Sequence, residues 1–157
     1  MRASRVIPGL LAAGVVGAGA AFVIGMRNKS PWLQDRIRTF SKQFASEALK
    51  TAGQEGSTNG VVLHVGRSSG REYATPITPL PTPDGFVITL PYTSKVDWAQ
   101  NVLAAHSATI VYDGVEHRVT DPRIVPYAEV APLLPKSAGI VRALFDVQEF
   151  LRVTHAD

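Results

Sequence analysis

The chain changes its hydrophobic period near residue 60. Beyond this point, short apolar runs alternate with turn residues, a pattern that is typical of β-strands. The Asp113-Gly114 pair is a strong hairpin signal, and Asp84-Gly85 marks a second turn. The predicted strands are Val61–Val65, Tyr73–Thr78, Gly85–Leu90, Ser107–Tyr112 and Val115–Val119, with Arg123–Val125 as a candidate sixth.

Three segments have the spacing of helices instead. Ser30-Pro31 is a helix-start signal, and the apolar residues that follow it predict an amphipathic helix to about Thr51. Lys95–Ala105 is predicted as a second helix and Ala138–Arg152 as a third. An open sheet of five or six strands would expose its edges, so we expect an α+β domain whose mostly antiparallel sheet curls into a barrel with flanking helices.

The N-terminal segment predicts a membrane anchor. Val6–Met26 is a run of 21 residues without a charge, and a helix of that length spans about 30 Å, the thickness of the hydrocarbon core. Basic residues are denser after the run, which favours a single pass with the domain in the cytoplasm. The alternative is a cleaved signal peptide, because Ala18-Gly19-Ala20 is similar to a cleavage site. The predicted organisation is an anchor at 1–29, an amphipathic helix and linker at 30–59, and a barrel domain at 60–157.

Composition narrows the function classes. The 157 residues fit one domain, and the absence of cysteine excludes disulfides and thiolate chemistry. Residues 1–29 hold four basic residues and no acid, whereas the remainder holds 12 basic and 13 acidic residues. The domain is therefore nearly neutral, which disfavours nucleic-acid binding. The four histidines have no metal-ligand spacing, so no metal site is predicted.

Two polar segments are candidates for binding chemistry. Gly66–Arg71, with the sequence GRSSGR, combines turn-forming glycines with serine hydroxyls and two arginines, which can bind phosphate or carboxylate. Tyr92–Asn101 follows a strand and opens a helix, and hydroxyls with a lysine at a helix N-terminus form an anion site. Taken singly, the first segment also fits an ordinary hairpin turn, and the second also fits a helix cap with a buried tryptophan.

Taken together and in this order, these segments resemble the deazaflavin-dependent nitroreductase and quinone reductase family. The resemblance runs from about Val61 to Leu151 and includes the Thr75-Pro76 pair and the closing segment from Leu144. It implies an FMN-binding-like split β-barrel that binds the deazaflavin coenzyme F420. The family often has lysine at the position of Ser68 and arginine at that of Tyr73, and these two departures weaken the expectation of a long polyglutamate tail on the coenzyme.

The resemblance also implies a set of site residues. The GRSSGR turn would hold the phosphate and acidic tail, the strand after it would lie under the ring, and the loop before the second helix would line the ring's other edge. Tyr92 is the candidate proton donor, although its hydroxyl also fits a role in cofactor binding alone. The implied cofactor-binding residues are Arg67, Ser68, Ser69, Gly70, Arg71, Tyr73, Ala74, Thr75, Pro76, Ile77, Leu90, Pro91, Tyr92, Thr93, Ser94, Lys95, Asp97, Trp98 and Asn101.

The implied activity is hydride transfer from the reduced coenzyme to a hydrophobic acceptor. Because the cofactor supplies the difficult chemistry, the protein needs no nucleophile–base pair of its own. The predicted anchor favours a quinone, an enone or a nitro compound that reaches the enzyme at the membrane. Two alternatives stay open, which are an FMN-dependent oxidoreductase on the same barrel and a non-catalytic module that binds the cofactor or a lipid. Split barrels often dimerise around the cofactor, so a homodimer is a further expectation.

Overall fold

The computed structural model describes residues 46–91, 93–136, 140, 142–143 and 146–157. The predicted anchor lies outside these residues, as does the helix predicted from Ser30 except for its last turn, where residues 46–48 are helical. None of the helices within the described ranges is both long and apolar enough to cross a bilayer.

The described residues form one antiparallel sheet with few helices. Two helices follow strands, namely α1 at Asp97–Ala105 and the short α2 at Tyr127–Val130, which continues into a 3₁₀ turn at Ala131–Leu133. The seven strands are β1 Gly60–Val65, β2 Glu72–Ile77, β3 Pro79–Thr82, β4 Gly85–Thr89, β5 Ser107–Tyr112, β6 Val115–Pro126 and β7 Glu149–His155.

Strand order shows that the sheet is curled. The order is β2-β1-β5-β6-β7-β4-β3, so β2 and β3 lie at opposite edges. Yet only Thr78 separates the end of β2 from the start of β3. Consecutive Cα atoms are about 3.8 Å apart, whereas a flat sheet of this width would hold its edge strands more than 25 Å apart. The two edges must therefore meet, which confirms the predicted antiparallel, barrel-like sheet.

Two hydrophobic clusters hold the sheet, one on each face. The larger fills the barrel interior and includes Val62, Ile110 and Leu151, with α1 contributing Ala99 and Val102. The smaller lies outside the barrel, where Phe150 packs with four buried valines, one of which belongs to α2. Its buried members are Val87, Val125, Val130, Val147 and Phe150.

The turn signals in the sequence are confirmed. Asp113 and Gly114, with φ of 51° and 77°, connect β5 to β6, and both dihedrals suit the primed turn of a tight hairpin. The two strands predicted at 115–119 and 123–125 form one strand, β6, with a shift of register between Thr120 and Arg123. Asp121 in that interval has a φ of 50°, as in a bulge that bends the strand from its pairing with β5 to its pairing with β7.

The helix predicted over Ala138–Arg152 is wrong at its C-terminal end. Residues 136, 140, 142 and 143 are helical, but Glu149–His155 forms β7. β7 begins with a short apolar run, because Phe150 is buried in the outer cluster and the adjacent Leu151 in the barrel interior, and it alternates only after that pair. Such a run does not distinguish a strand from a helix. The sheet also has seven strands rather than five or six, because neither β3 nor β7 was predicted as a strand, while the two predicted strands at 115–119 and 123–125 are one. β3 contains two prolines, which strands tolerate at an edge.

Candidate functional site

The GRSSGR segment forms a closed turn between β1 and β2. The Gly66 N–H donates to the Arg71 carbonyl and the Gly70 N–H donates to the Gly66 carbonyl, both at 2.8 Å. Gly70 has a φ of 65°, which favours glycine. A Cβ on Gly66 would overlap the Ser69 hydroxyl and lie 2.7 Å from the Tyr73 ring, so any other residue here would displace one or both of these side chains. The glycines thus hold Ser68, Ser69 and Arg71 at the surface.

Arg67 joins this turn to the first turns of α1. Its Nη1 donates to the Asp97 carbonyl at 3.2 Å and to Asn101 Oδ1 at 2.8 Å, and its Nη2 pairs with Asp97 Oδ1 at 3.1 Å. The Arg67 backbone N–H also donates to Asn101 Oδ1, at 3.1 Å. These bonds join residues that are 30 to 34 positions apart in the sequence. The two polar segments singled out in the sequence therefore form one surface in the fold.

A buried histidine lies directly behind this contact. His64 on β1 and Asn101 on α1 are 7% and 6% exposed, and Asn101 Nδ2 lies 3.2 Å from His64 Nδ1. On its other side, His64 Nε2 lies 3.0 Å from Thr75 Oγ1 on β2. Burial lowers the pKa of His64 below its ordinary value of 6.5. We refer to His64, Arg67, Tyr73, Thr75, Asp97 and Asn101 as the polar junction.

Tyr73 is an exposed member of the polar junction, as are Arg67 and Asp97. Its ring stacks on His64 with centroids 5.7 Å apart, and its hydroxyl lies 3.1 Å from Ser69 Oγ. The hydrogen bond with Ser69 lowers the pKa of the Tyr73 phenol, and the charge of Arg71 acts in the same direction. At 42% exposed, the Tyr73 ring is an accessible flat surface beside a basic, hydroxyl-bearing turn.

The loop before α1 is held by β7 as well as by its own residues. The Ser94 N–H donates to Glu149 Oε2 at 2.8 Å, and the Ser94 carbonyl accepts from Gln100 Nε2 at 2.9 Å. Lys95 is exposed two residues before α1. The alternative interpretation of this segment as a helix cap at Ser94 or Asp97 does not hold, because Val96 is the N-cap residue and makes no capping side-chain bond. The loop thus places the Lys95 cation near the end of α1 that Arg67 contacts.

The remaining predicted site residues fall into three groups. Ile77 and Leu90 are buried in the barrel interior, and Trp98 packs against the same cluster. Ala74 and Pro76 pair with Leu63 and Val61, so they lie on the strand face opposite His64 and Tyr73. Pro91 and Thr93 lie half-buried in the loop, whereas Tyr92, the candidate proton donor, lies outside the described residues.

Two residues that were not selected from the sequence belong to the site. His64 follows the alternation of β1, which left it facing either solvent or the cofactor, and the structure places it in the polar junction. Glu149 carried no signal, because it fell inside a predicted helix and its contact with Ser94 spans 55 positions.

The geometry defines a class of site. It is a cationic corner of the surface in which Arg67 has N–H donors that no other described residue accepts. A guanidinium has five N–H donors, and the bonds of Arg67 to other described residues use at most three of them. The hydroxyls of Ser68 and Ser69 and the cations of Arg71 and Lys95 lie at the surface around it. A corner of this kind fits a phosphate or carboxylate group.

Comparisons with known proteins give only distant likenesses. No family model and no curated protein matches the chain. A solved structure described as a domain-swapped dimer is 14% identical over 75% of this chain and 97% of its own, with a TM-score of 0.49. HutZ, a heme storage protein from Vibrio cholerae, is 13% identical over 65% of this chain and 84% of its own, with a TM-score of 0.44. A protein of unknown function from Agrobacterium tumefaciens is 16% identical over 71% and 61%, with a TM-score of 0.39.

Proposed function

We propose that the polar junction binds the phosphate-bearing side chain of a flavin-like coenzyme, and that this coenzyme is the deazaflavin F420. The observation that carries the proposal is the bonding of Arg67 to Asp97 and Asn101, which unites the two anion-binding segments into one surface. The unused guanidinium donors and the exposed hydroxyls of Ser68 and Ser69 fit an anionic group. The sequence resemblance supports the deazaflavin in particular.

The chain's own residues would bind, orient and shield. Arg67, Arg71 and Lys95 would hold the anionic part, and Tyr73 would offer its exposed ring face beside them. When bound, the coenzyme supplies the hydride. A proton must also reach the acceptor, and Tyr92 stays our predicted donor, with water as the alternative. We therefore propose an oxidoreductase whose protein part contributes position rather than a nucleophile.

We propose a hydrophobic acceptor, such as a quinone, an enone or a nitro compound, met at a membrane. The uncharged run Val6–Met26 supports this, because an anchored enzyme reaches lipid-soluble compounds without extracting them into water. The test uses full-length protein and a variant without residues 1–28, each with quinone embedded in vesicles. We expect the deletion to lower turnover of the embedded quinone and to leave a water-soluble quinone unaffected. Equal turnover of the embedded quinone by both would remove the membrane from the proposal.

We also propose a homodimer. Leu63 and Val65 lie side by side on the outer face of β1 and are 38% and 47% exposed, which is unusual for large apolar residues of one strand. Sedimentation velocity of the full-length protein tests the pairing, with Leu63→Glu as the disrupting variant and Val115→Glu, an exposed residue in the β5–β6 hairpin, as the control. A wild-type monomer would contradict this proposal.

The deciding experiment is a titration of the full-length protein with oxidised F420, followed by the anisotropy of the coenzyme's own fluorescence. FMN is titrated in parallel. We expect F420 to bind and the Arg67→Met variant to bind it about a hundredfold more weakly, because a charge-assisted pair is worth about 2–3 kcal/mol. Tighter binding of FMN would favour the FMN-dependent enzyme, and the absence of binding by both would refute the proposed function.

Catalysis is tested separately from binding. Menadione is added to the complex of the protein with the reduced coenzyme, and the absorbance of the coenzyme reports its oxidation. An enzyme accelerates this oxidation above the rate of free coenzyme, whereas a storage module leaves it equal or slower. Tyr92→Phe is expected to lower the rate without changing the coenzyme's Kd, and a rate equal to that of wild type would leave water as the donor.

A further inference from the structure

The orientation of the Asn101 side chain fixes the protonation of His64. Asn101 Oδ1 accepts two bonds from Arg67, one from the backbone N–H at 3.1 Å and one from Nη1 at 2.8 Å. The other end of the amide, Nδ2, therefore faces His64 Nδ1 at 3.2 Å. An amide NH₂ only donates, so His64 Nδ1 must be an acceptor without a proton. The neutral imidazole then carries its proton on Nε2, which donates to Thr75 Oγ1 at 3.0 Å.

A second proton on His64 is incompatible with this arrangement. It would place an N–H on Nδ1 against the NH₂ of Asn101, which are two donors facing each other in a buried contact. Turning the amide by 180° would satisfy His64 but would present NH₂ to both donors of Arg67. The conflict cannot be removed within the network. Arg67 donates to Asn101 and Asn101 donates to His64, so the hydrogen bonds all run in one direction.

The groups around His64 favour its neutral form. Tyr73 and Thr75 face it from β2, and Asn101 faces it from α1. The charged groups next to these neighbours are the Arg67–Asp97 pair, in which Arg67 contacts Asn101, and Arg71, which acts on Tyr73. No carboxylate of the described residues bonds to the ring, and burial lowers the pKa of His64.

We propose that His64, as the neutral Nε2–H tautomer, is the positioning residue of the anion site, and that its protonation releases Arg67 and weakens binding of the coenzyme. The inference rests on the proposed function for its ligand, although the tautomer and its link to Arg67 do not depend on it. The site would consequently be intact at neutral pH and impaired in acid.

The first test measures the pH profile of F420 binding by full-length protein. Below the pKa of His64, wild-type affinity should fall by up to tenfold for each pH unit. His64→Asn is the matched variant, because its Oδ1 replaces Nδ1 as an acceptor and does not titrate. We expect this variant to lack the acid loss, with each profile referred to the affinity of the same protein at pH 7.5. Parallel profiles for the two proteins would overturn the proposal.

The second test needs no coenzyme and keeps the two proposals distinguishable. Nitrogen-15 NMR of the full-length protein reports the tautomer of His64 and the environment of the Arg67 guanidinium. We expect the Nε2–H tautomer at pH 7.5, and on acidification a shift of the Arg67 signals that follows the titration of His64 in wild type and is absent from His64→Asn. A proton on Nδ1 at pH 7.5, or Arg67 signals that ignore His64, would refute the inference, whether or not F420 binds.

Discussion

Two arginines tie helices to the sheet, and they differ in what surrounds them. Arg152 on β7 lies between two carboxylates, Asp84 at 2.6 Å and Glu129 at 3.6 Å, and its side chain is 21% exposed. Arg67 has one carboxylate partner, Asp97, and an amide partner, Asn101, and its side chain is 40% exposed. The charge of Arg152 is balanced by two carboxylates, although its buried Nε has no hydrogen-bond partner among the described residues. Arg67 has more access to solvent and fewer anionic partners.

This difference separates an arginine with a structural role from the one that we propose binds the coenzyme. Arg152 connects β7 to the β3–β4 turn and to α2, beside the outer hydrophobic cluster. Arg67 connects the GRSSGR turn to α1, beside exposed serines and the exposed Tyr73 ring. The same guanidinium chemistry thus serves folding where acids surround it, and an incoming anion can supply the missing charge where they do not.

The largest expected effect contrasts the two arginines in binding. Arg67→Met should weaken binding of F420 about a hundredfold, since it removes the cation and the joint between the two segments. Arg152→Met should change the Kd by less than about threefold. Fluorescence anisotropy of the coenzyme measures both. Equal losses in the two variants would show that the comparison is mistaken and that the effect is one of folding.

For the free energy of unfolding, the order of the two variants should be reversed, with the larger loss in Arg152→Met. Arg152→Met leaves Asp84 and Glu129 without their shared cation, and we expect the free energy of unfolding to fall by about 1–2 kcal/mol, less than for a fully buried pair because both acids are partly exposed. Arg67→Met should cost under about 1 kcal/mol. Urea denaturation with unchanged m-values is the measurement. A greater loss for Arg67→Met would show that Arg67, and not Arg152, contributes more to stability, which contradicts the comparison.

The next effect in size is the pH dependence of the stability that Asp84 contributes through its contact with Arg152. The hydrogen bond from Arg152 lowers the pKa of Asp84 below its ordinary value of 3.8, and a bond from Thr82 acts in the same direction. A depressed folded-state pKa contributes stability above the unfolded value, and this contribution is lost as pH falls through the folded value. The stability gap between wild type and Asp84→Asn should therefore be constant near neutrality and close below about pH 4. A gap that persists in acid would show that the charge of Asp84 is unimportant.

The smallest effect is expected at Tyr73. Tyr73→Phe keeps the ring that stacks on His64 and removes only the exposed hydrogen bond to Ser69. We expect F420 affinity to fall two- to threefold and the free energy of unfolding to change by less than about 0.5 kcal/mol. Tyr73→Ala, which also removes the ring, should weaken binding further. Equal affinities for the Phe and Ala variants would exclude the ring from the site.

The sequence predicted local features well and missed those that depend on distant contacts. The Asp-Gly turns are encoded by neighbouring residues, so the hairpins could be foreseen, whereas the alternation of β1 left His64 facing either solvent or the cofactor. β7 was misassigned because it is buried on both faces, a property of the tertiary structure alone. The bonds of Arg67 to α1 span 30 to 34 positions, so no local pattern showed that Asp97 and Asn101 would engage it.

The most direct test of the central claim is where the coenzyme binds. Backbone amide signals of the full-length protein are recorded by NMR during a titration with F420. The account predicts that the signals of Arg67, Ser68, Ser69, Arg71 and Lys95 shift together with one Kd, while those around Arg152 and Asp84 stay in place. Shifts confined to the Arg152 side of the barrel, or no saturable shifts at all, would contradict it.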